Sequence, residues 1–267
     1  MQNPSFTIAV DHLTQNQNPR VWSLLISVFG DLAQKEGASL SGALLRQLNE
    51  KIGIRPEAMR VAIHRLRKEG WIESHRNGRT SAYFLTPWGR AQSAQASPRI
   101  YATGPAADQA WLALLDPARP SQSSDATGVW VASNILITSL EPTAEQAFVS
   151  RLQPRTPVPE WISAKVCDDP TRHMAQDFAA ALDQVTRDLT PAPALCPLEV
   201  AALRVLLVHG WRRIILKTPL LPDHVFPQAW SGPECRAMVG ALLAHYPPPD
   251  LHALEIRVTS GKAALSK

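Results

Sequence analysis

The stretch from Arg55 to Thr86 constrains this chain more than any other: a basic amphipathic segment, IRPEAMRVAIHRLRKEGW, runs without a break into an alternating one, WIESHRNGRTSAYFLT. In the first, Met59, Ala62, Ile63 and Leu66 recur at i, i+3, i+4 and i+7, so a helix puts them on one side while Arg60, His64, Arg67 and Lys68 gather on another. Pro56 suits the first helical position, Glu57 adds negative charge to the positive helix end, and Gly70 closes the helix. In the second, Ser81, Tyr83 and Leu85 alternate with Thr80, Ala82 and Phe84, and the Asn77-Gly78 dipeptide offers the positive φ angles of a tight hairpin turn. Arg76 and Arg79 flank that tip. An isolated basic helix is more often just a solvated face. Joined to a basic hairpin, it has the order in which a winged helix-turn-helix presents a reading helix and a wing to double-stranded DNA.

A chain of 267 residues is long for one small module and suits two or three domains. The formal net charge of +4 hides a segregation. Residues 1–100 carry 13 Lys and Arg against 7 Asp and Glu, whereas residues 101–267 carry 14 against 16, so the positive charge travels with the helix and hairpin. The three cysteines, Cys167, Cys196 and Cys235, are odd in number and far apart, without metal-ligand spacing, as expected for a reducing cytosol. The longest apolar run, near Val21 to Phe29, is far short of a membrane span, and the polar start MQNPSFT lacks a signal-peptide pattern. These features predict a cytoplasmic protein without metal or cofactor.

In chain order, residues 1–19 read as a loosely held arm whose apolar cluster is Phe6, Ile8, Val10 and Leu13. Val21, Leu24, Leu25, Val28 and Leu32 mark a first helix. Ser39 or Ser41 caps a second one carrying Leu44, Leu45, Leu48 and Ile52, and a linker helix is expected from Pro87 to about Ser97. Central strands are readable at Ala110 to Leu115, Gly128 to Ser133, Ile135 to Thr138 and Trp161 to Val166, with a helix from Pro142 to Leu152. PARPSQSSDAT reads as a loop. Helices follow through Met174 to Val185, from Pro197 to beyond Arg213, and from Pro233 to His245; LHALEIRV fits either a strand or a short helix.

The run SLLISVFGDL, the helix with Arg60 and Arg65-Leu66, Glu69-Gly70-Trp71, Gly78-Arg79, Tyr83, Leu85-Thr86, Gly89 and Arg99-Ile100-Tyr101 resemble the PaaX family of phenylacetic-acid catabolic repressors. LLVHGWRRIILKTPLLPDHVFPQAWSG resembles that family's C-terminal signature, so the likeness brackets roughly residues 20–246. It implies an α+β chain: a winged helix-turn-helix over 20–97, a small central ferredoxin-like domain over 98–169 and a helical C-terminal domain over 170–267. The family's helix between the first two central strands is replaced here by the PARPSQSSDAT loop, so the central domain is expected to be truncated. The resemblance also implies an effector, an aryl acyl-coenzyme A thioester such as phenylacetyl-coenzyme A. Arg212, Arg213 and Lys217 beside Trp211 and Trp230 would supply guanidinium and ammonium groups near aromatic faces to grip its phosphates and rings. Thr218 stands where the family tends to have Asp, and a purely structural role for the cluster is an even alternative.

No GxSxG, P-loop, GxGxxG or HExxH motif occurs, and no two histidines have zinc spacing. Catalysis thus has no motif behind it, and the function that the resemblance implies is repression of an aromatic-acid catabolic operon, expected of a homodimer with Arg55, Arg60, His64, Arg67, Lys68, Arg76 and Arg79 on the DNA. Two rivals remain. One is an acyl-thioester enzyme with a vestigial winged helix, which a turnover assay would expose; the other is an effector-free DNA-binding assembly factor, which ligand-induced stabilisation would exclude.

Overall fold

The computed structural model describes residues 3–15, 20–78, 80–117, 127–143, 147–191 and 193–256. It is an α+β structure with two antiparallel sheets. The N-terminal elements are α1 (Pro4–Thr14), α2 (Val21–Leu32), β1 (Leu40–Ser41), α3 (Gly42–Lys51), α4 (Pro56–Lys68), β2 (Ile72–Asn77), β3 (Thr80–Leu85) and α5 (Pro87–Ile100). Strands β4 (Ala110–Leu115), β5 (Gly128–Ala132), β6 (Ile135–Thr138) and β7 (Ala147–Leu152) follow, then α6 (Glu160–Val166), α7 (Asp169–Asp188), α8 (Pro197–Ile215) and α9 (Gly232–His245). Residues 251–256 are helical, which resolves the LHALEIRV alternative for those six. The chain divides into two compact units, one of Met1–Ile100, Ala181–Trp211 and Met238–Lys267, the other of Tyr101–Ala180 and Arg212–Ala237.

In the first unit the sheet order is β1-β3-β2, and α2 packs against both α4 and α5. The expected loose arm is instead helix α1, started by Pro4 and capped by the Asn3 side chain, which accepts from Ser5 N–H at 3.0 Å. Its buried stripe is Phe6, Ala9, Val10 and Leu13, a full i, i+3, i+4, i+7 set that is missed when Ala9 is not counted as apolar. Glu199, in the first turn of α8, accepts from Asn3 N–H, Cys196 N–H and Lys51 Nζ, each at 3.1 Å. Burial alone would raise its pKa, but these donors outweigh it and hold the carboxyl below its usual value.

Between residues 201 and 208 only Arg204 of α8 is not apolar, and the whole stretch is buried, so this helix runs through the core with no solvent face. The Arg204 guanidinium is answered on both sides. Its Nε and Nη2 donate to Asp31, in the last turn of α2, at 3.0 and 2.8 Å, and its Nη1 donates to the Leu243 and Tyr246 carbonyls at the end of α9 at 3.1 and 2.7 Å. A carboxylate at a helix C-terminus is unfavourable, and carbonyls of a last turn lack intrahelical donors; one guanidinium offsets both costs.

In the second unit the sheet order is β5-β6-β4-β7, all neighbours antiparallel, and α6 packs against β5. Three of the four expected strands fall where the alternation puts them. The fourth, Trp161 to Val166, is helix α6: Pro159 precedes its first turn, and the buried pair Ser163 and Val166 has helical spacing while Trp161 points out at 58% exposure. The expected helix from Pro142 to Leu152 is overturned over its second half, because 147–152 form β7 and pair with β4 at six successive positions. Phe148 and Val149 favour that pleated surface. Most of PARPSQSSDAT lies outside the described residues.

Candidate nucleic-acid interface

Helix α4 forms as its pattern requires. Arg55 is the extended N-cap residue, Pro56 begins the helix, and Met59, Ala62, Ile63 and Leu66 are buried. Its C-terminus is a Schellman motif: Gly70 at φ +75° lets Gly70 N–H reach Arg67 O and Trp71 N–H reach Leu66 O, at 3.1 and 2.9 Å. Thr86 then ties the hairpin to this end. Its hydroxyl donates to Gly70 O at 2.6 Å and accepts from Gly89 N–H at 2.9 Å, and a Cβ at Gly89 would come within 2.2 Å of Trp71 O, so only glycine fits there. The helix and hairpin are thereby held as one surface.

On that surface Arg55, Arg60, His64, Arg67, Lys68 and Arg76 are all exposed, as is Val61 at 70%. Arg79 lies outside the described residues. The hairpin turn differs in detail from expectation: Asn77 pairs with Thr80 as the last residue of β2, so Gly78, at φ +59°, opens the two-residue connection instead of closing a turn with Asn77. Arg65 is committed elsewhere, to Glu69 at 2.7 Å and to the face of Trp22 at 4.2 Å from the ring centroid. By contrast, Arg60 and Arg67 make no ion pair among the described residues.

Two residues outside the expected set join this surface. A groove of about 400 Å³ has Arg60, His64 and Arg67 along one wall, Met59 and Ile63 at its base, and Arg46 of α3 and Tyr83 of β3 opposite. Arg46 is the lone cation on the exposed side of α3 and Tyr83 sits mid-strand. Nothing in their sequence surroundings links either to α4, because the link is made by β1 pairing with β3 and handing the chain into α3.

The residues expected to hold an effector are placed differently. Trp211 is wholly buried, and Trp230, at 7% exposure, stacks on Phe226 with ring centroids 5.0 Å apart. Neither indole N–H has a hydrogen-bond partner among the described residues. Arg212 and Arg213 are half-buried at the end of α8, Lys217 is exposed, and burial lowers the Arg212 pKa from its usual value. A separate cavity of about 360 Å³, with Ser163, Cys167, Arg172 and Gln228 in its wall, includes none of these five. Burial pushes the Cys167 thiol up to about 12, so it is not a nucleophile at neutral pH. Among the described residues no group of three His, Cys, Asp or Glu side chains could hold a metal ion, and no helix is long and apolar enough to cross a membrane.

The basic helix with its hairpin, and the helices α7 to α9, fall within stretches that match known families. The family model described as PaaX-like protein matches residues 20–89, and that of the PaaX-like protein C-terminal domain matches 169–251. The chain belongs to the PaaX-like family. It is 29% identical over 246 residues to transcriptional repressor PaaX of Escherichia coli (strain K12), covering 81% of this chain and 77% of that protein. Among solved structures it is similar to the uncharacterized protein Rv0674 from Mycobacterium tuberculosis, with a TM-score of 0.42 and 15% identity over 90% of this chain and 97% of that one.

Proposed function

We propose that this chain is a DNA-binding transcriptional regulator rather than an enzyme, a cytoplasmic homodimeric repressor of an aromatic-acid catabolic operon of the phenylacetate type. The observation that carries this reading is the row of exposed cations on α4, Arg60 and Arg67 without carboxylate partners, on a helix locked to a basic hairpin. The likeness to a protein named as a transcriptional repressor supports it. Residues 20–97 are then a winged helix-turn-helix: α2, α3 and α4 with β1 and the β2–β3 wing. The order β5-β6-β4-β7 is that of a ferredoxin-like sheet, and α7 to α9 supply the helical C-terminal domain. Arg60 and His64 face base edges, Val61 offers methyl groups to a thymine, and Arg55, Arg67, Lys68, Arg76 and Arg79 hold phosphates. Replacing Arg60 by Ala should cost about 1–3 kcal/mol on the operator and blur one position of the selected sequence, whereas Lys68→Ala should weaken all sequences alike. Binding-site selection with each variant checks this; equal losses on every sequence for both would reverse the assigned roles.

The repressor reading extends to a signal, an aryl acyl-coenzyme A thioester that Arg212, Arg213 and Lys217, with Trp211 and Trp230, grip and that releases the repressor from its operator. Arg212→Ala and Arg213→Ala should each leave operator binding intact while abolishing release by phenylacetyl-coenzyme A. Operator DNA should in turn weaken thioester binding by the same factor that thioester weakens DNA binding. Calorimetry in both orders measures that reciprocity. The burial of Trp211 and Trp230 favours a second reading, in which the cluster is structural; wild-type release in both variants would establish it and move the effector pocket elsewhere, whereas no release of the wild type by any thioester would mean a regulator without such an effector.

A further inference from the structure

The groove between α3, α4 and β3 carries a consequence for DNA that the α4 face alone does not. Its wall and base contain three arginines, a histidine and a tyrosine but no Asp or Glu. Like charges so gathered repel, and what sets the groove apart is that three arginines share it: elsewhere in this unit Arg65, Arg90, Arg187 and Arg204 each have a carboxylate partner, and Arg20, Arg55 and Arg76, which make no ion pair among the described residues, lie outside it. Arg46, Arg60 and Arg67 have none among the described residues. The base is apolar, with Met59 and Ile63 each 8% exposed, which suits a sugar more than a second ion.

We propose that the Arg46 and Tyr83 side of this groove, with Arg67, seats the sugar-phosphate backbone of the duplex whose base edges Arg60 and His64 face, Arg46 and Tyr83 holding one backbone phosphate. Alternating negative phosphates and apolar sugar edges match cationic walls over an apolar base, and a guanidinium with a phenol hydroxyl supplies donors to phosphate oxygens. Tyr83 is held in place for this: its ring packs on α3 at Gly42, where an added Cβ would lie 3.6 Å from it, and its backbone pairs with Leu40 and Ser74. Arg46 and Tyr83 are therefore register-setting contacts on the flank of the reading helix, not readers of sequence.

This rests on the DNA-binding reading, and the test separates the two. The full-length protein is titrated with a random-sequence duplex and with a selected operator by fluorescence anisotropy across 50–200 mM salt. Arg46→Ala should reduce the magnitude of the slope of log K against log salt by about 0.9 per protomer, about 1.8 for the dimer, so that its loss over that range is about 12-fold smaller than the wild type's, equally on both duplexes. Arg46→Lys should keep the wild-type slope, and Tyr83→Phe should weaken binding without changing the slope, since it removes a neutral donor. A steep wild-type slope with an unchanged Arg46→Ala slope overturns the groove assignment alone, as does a loss confined to the operator. A flat wild-type slope overturns the DNA reading and this proposal together.

Discussion

Replacing Asp31 by Asn should lower the unfolding free energy by about 3–5 kcal/mol, because it leaves the Arg204 guanidinium buried without its counter-charge. Both partners are almost wholly enclosed, with Arg204 6% and Asp31 1% exposed, so water cannot replace the lost carboxylate. For a protein of this size that corresponds to a fall in Tm of roughly 6–20 °C. Arg204→Met should cost a similar amount by removing at once the guanidinium bound by Asp31 and by the Leu243 and Tyr246 carbonyls. Combining Asp31→Asn with Arg204→Met removes both charges, and the pair should lose clearly less than the two single changes added, since neither charge is then left buried without the other. Urea unfolding of the four proteins measures this. Single variants within 1 kcal/mol of the wild type would mean that the ion pair is not what fastens α2 to α8.

That fastening matters to the surface proposed to face DNA because α2 is the helix on which α4 and α5 pack. It was also invisible in the sequence. Asp31 and Arg204 stand 173 residues apart, and each alone looks like an ordinary charged residue in an apolar run. The surface itself was legible, since α4 and the hairpin have clean 3.6- and 2-residue periods and glycines at positions that demand positive φ. Where the signal was weaker the outcome was mixed. Ser41 rather than Ser39 caps α3, donating no surprise to the fold, but α1 was hidden by the small size of Ala9. Within α6 the residues from Ile162 to Val166 alternate in polarity as a strand would, and only the spacing of Ser163 and Val166 marks the helix. For β7 the reverse held, where Pro142 and Thr143 imitate a helix start ahead of a strand.

The candidate contacts divide along the same line. Arg60, His64 and Arg67 could be found because they repeat along one helix, whereas Arg46 and Tyr83 reach the groove only through sheet pairing between β1 and β3. Trp211 ends a largely apolar stretch, 201–211, that is buried on every side, so its aromatic face, which in sequence resembles a ligand platform, belongs to the core.

The central claim is that the cations of the first hundred residues meet a DNA backbone. If a dimer neutralises about six to ten phosphates, counterion release should make affinity collapse by about 10³–10⁵ between 50 and 200 mM salt. The same dimer predicts an inverted-repeat footprint with half-sites about 10 base pairs apart, one turn of the double helix, because each reading helix covers only a few base pairs. Titration of the full-length protein with duplex DNA across that salt range is the most direct measurement: a linear fall of log K with a slope of roughly −5 to −9 is the expected result, and a flat response would contradict the account.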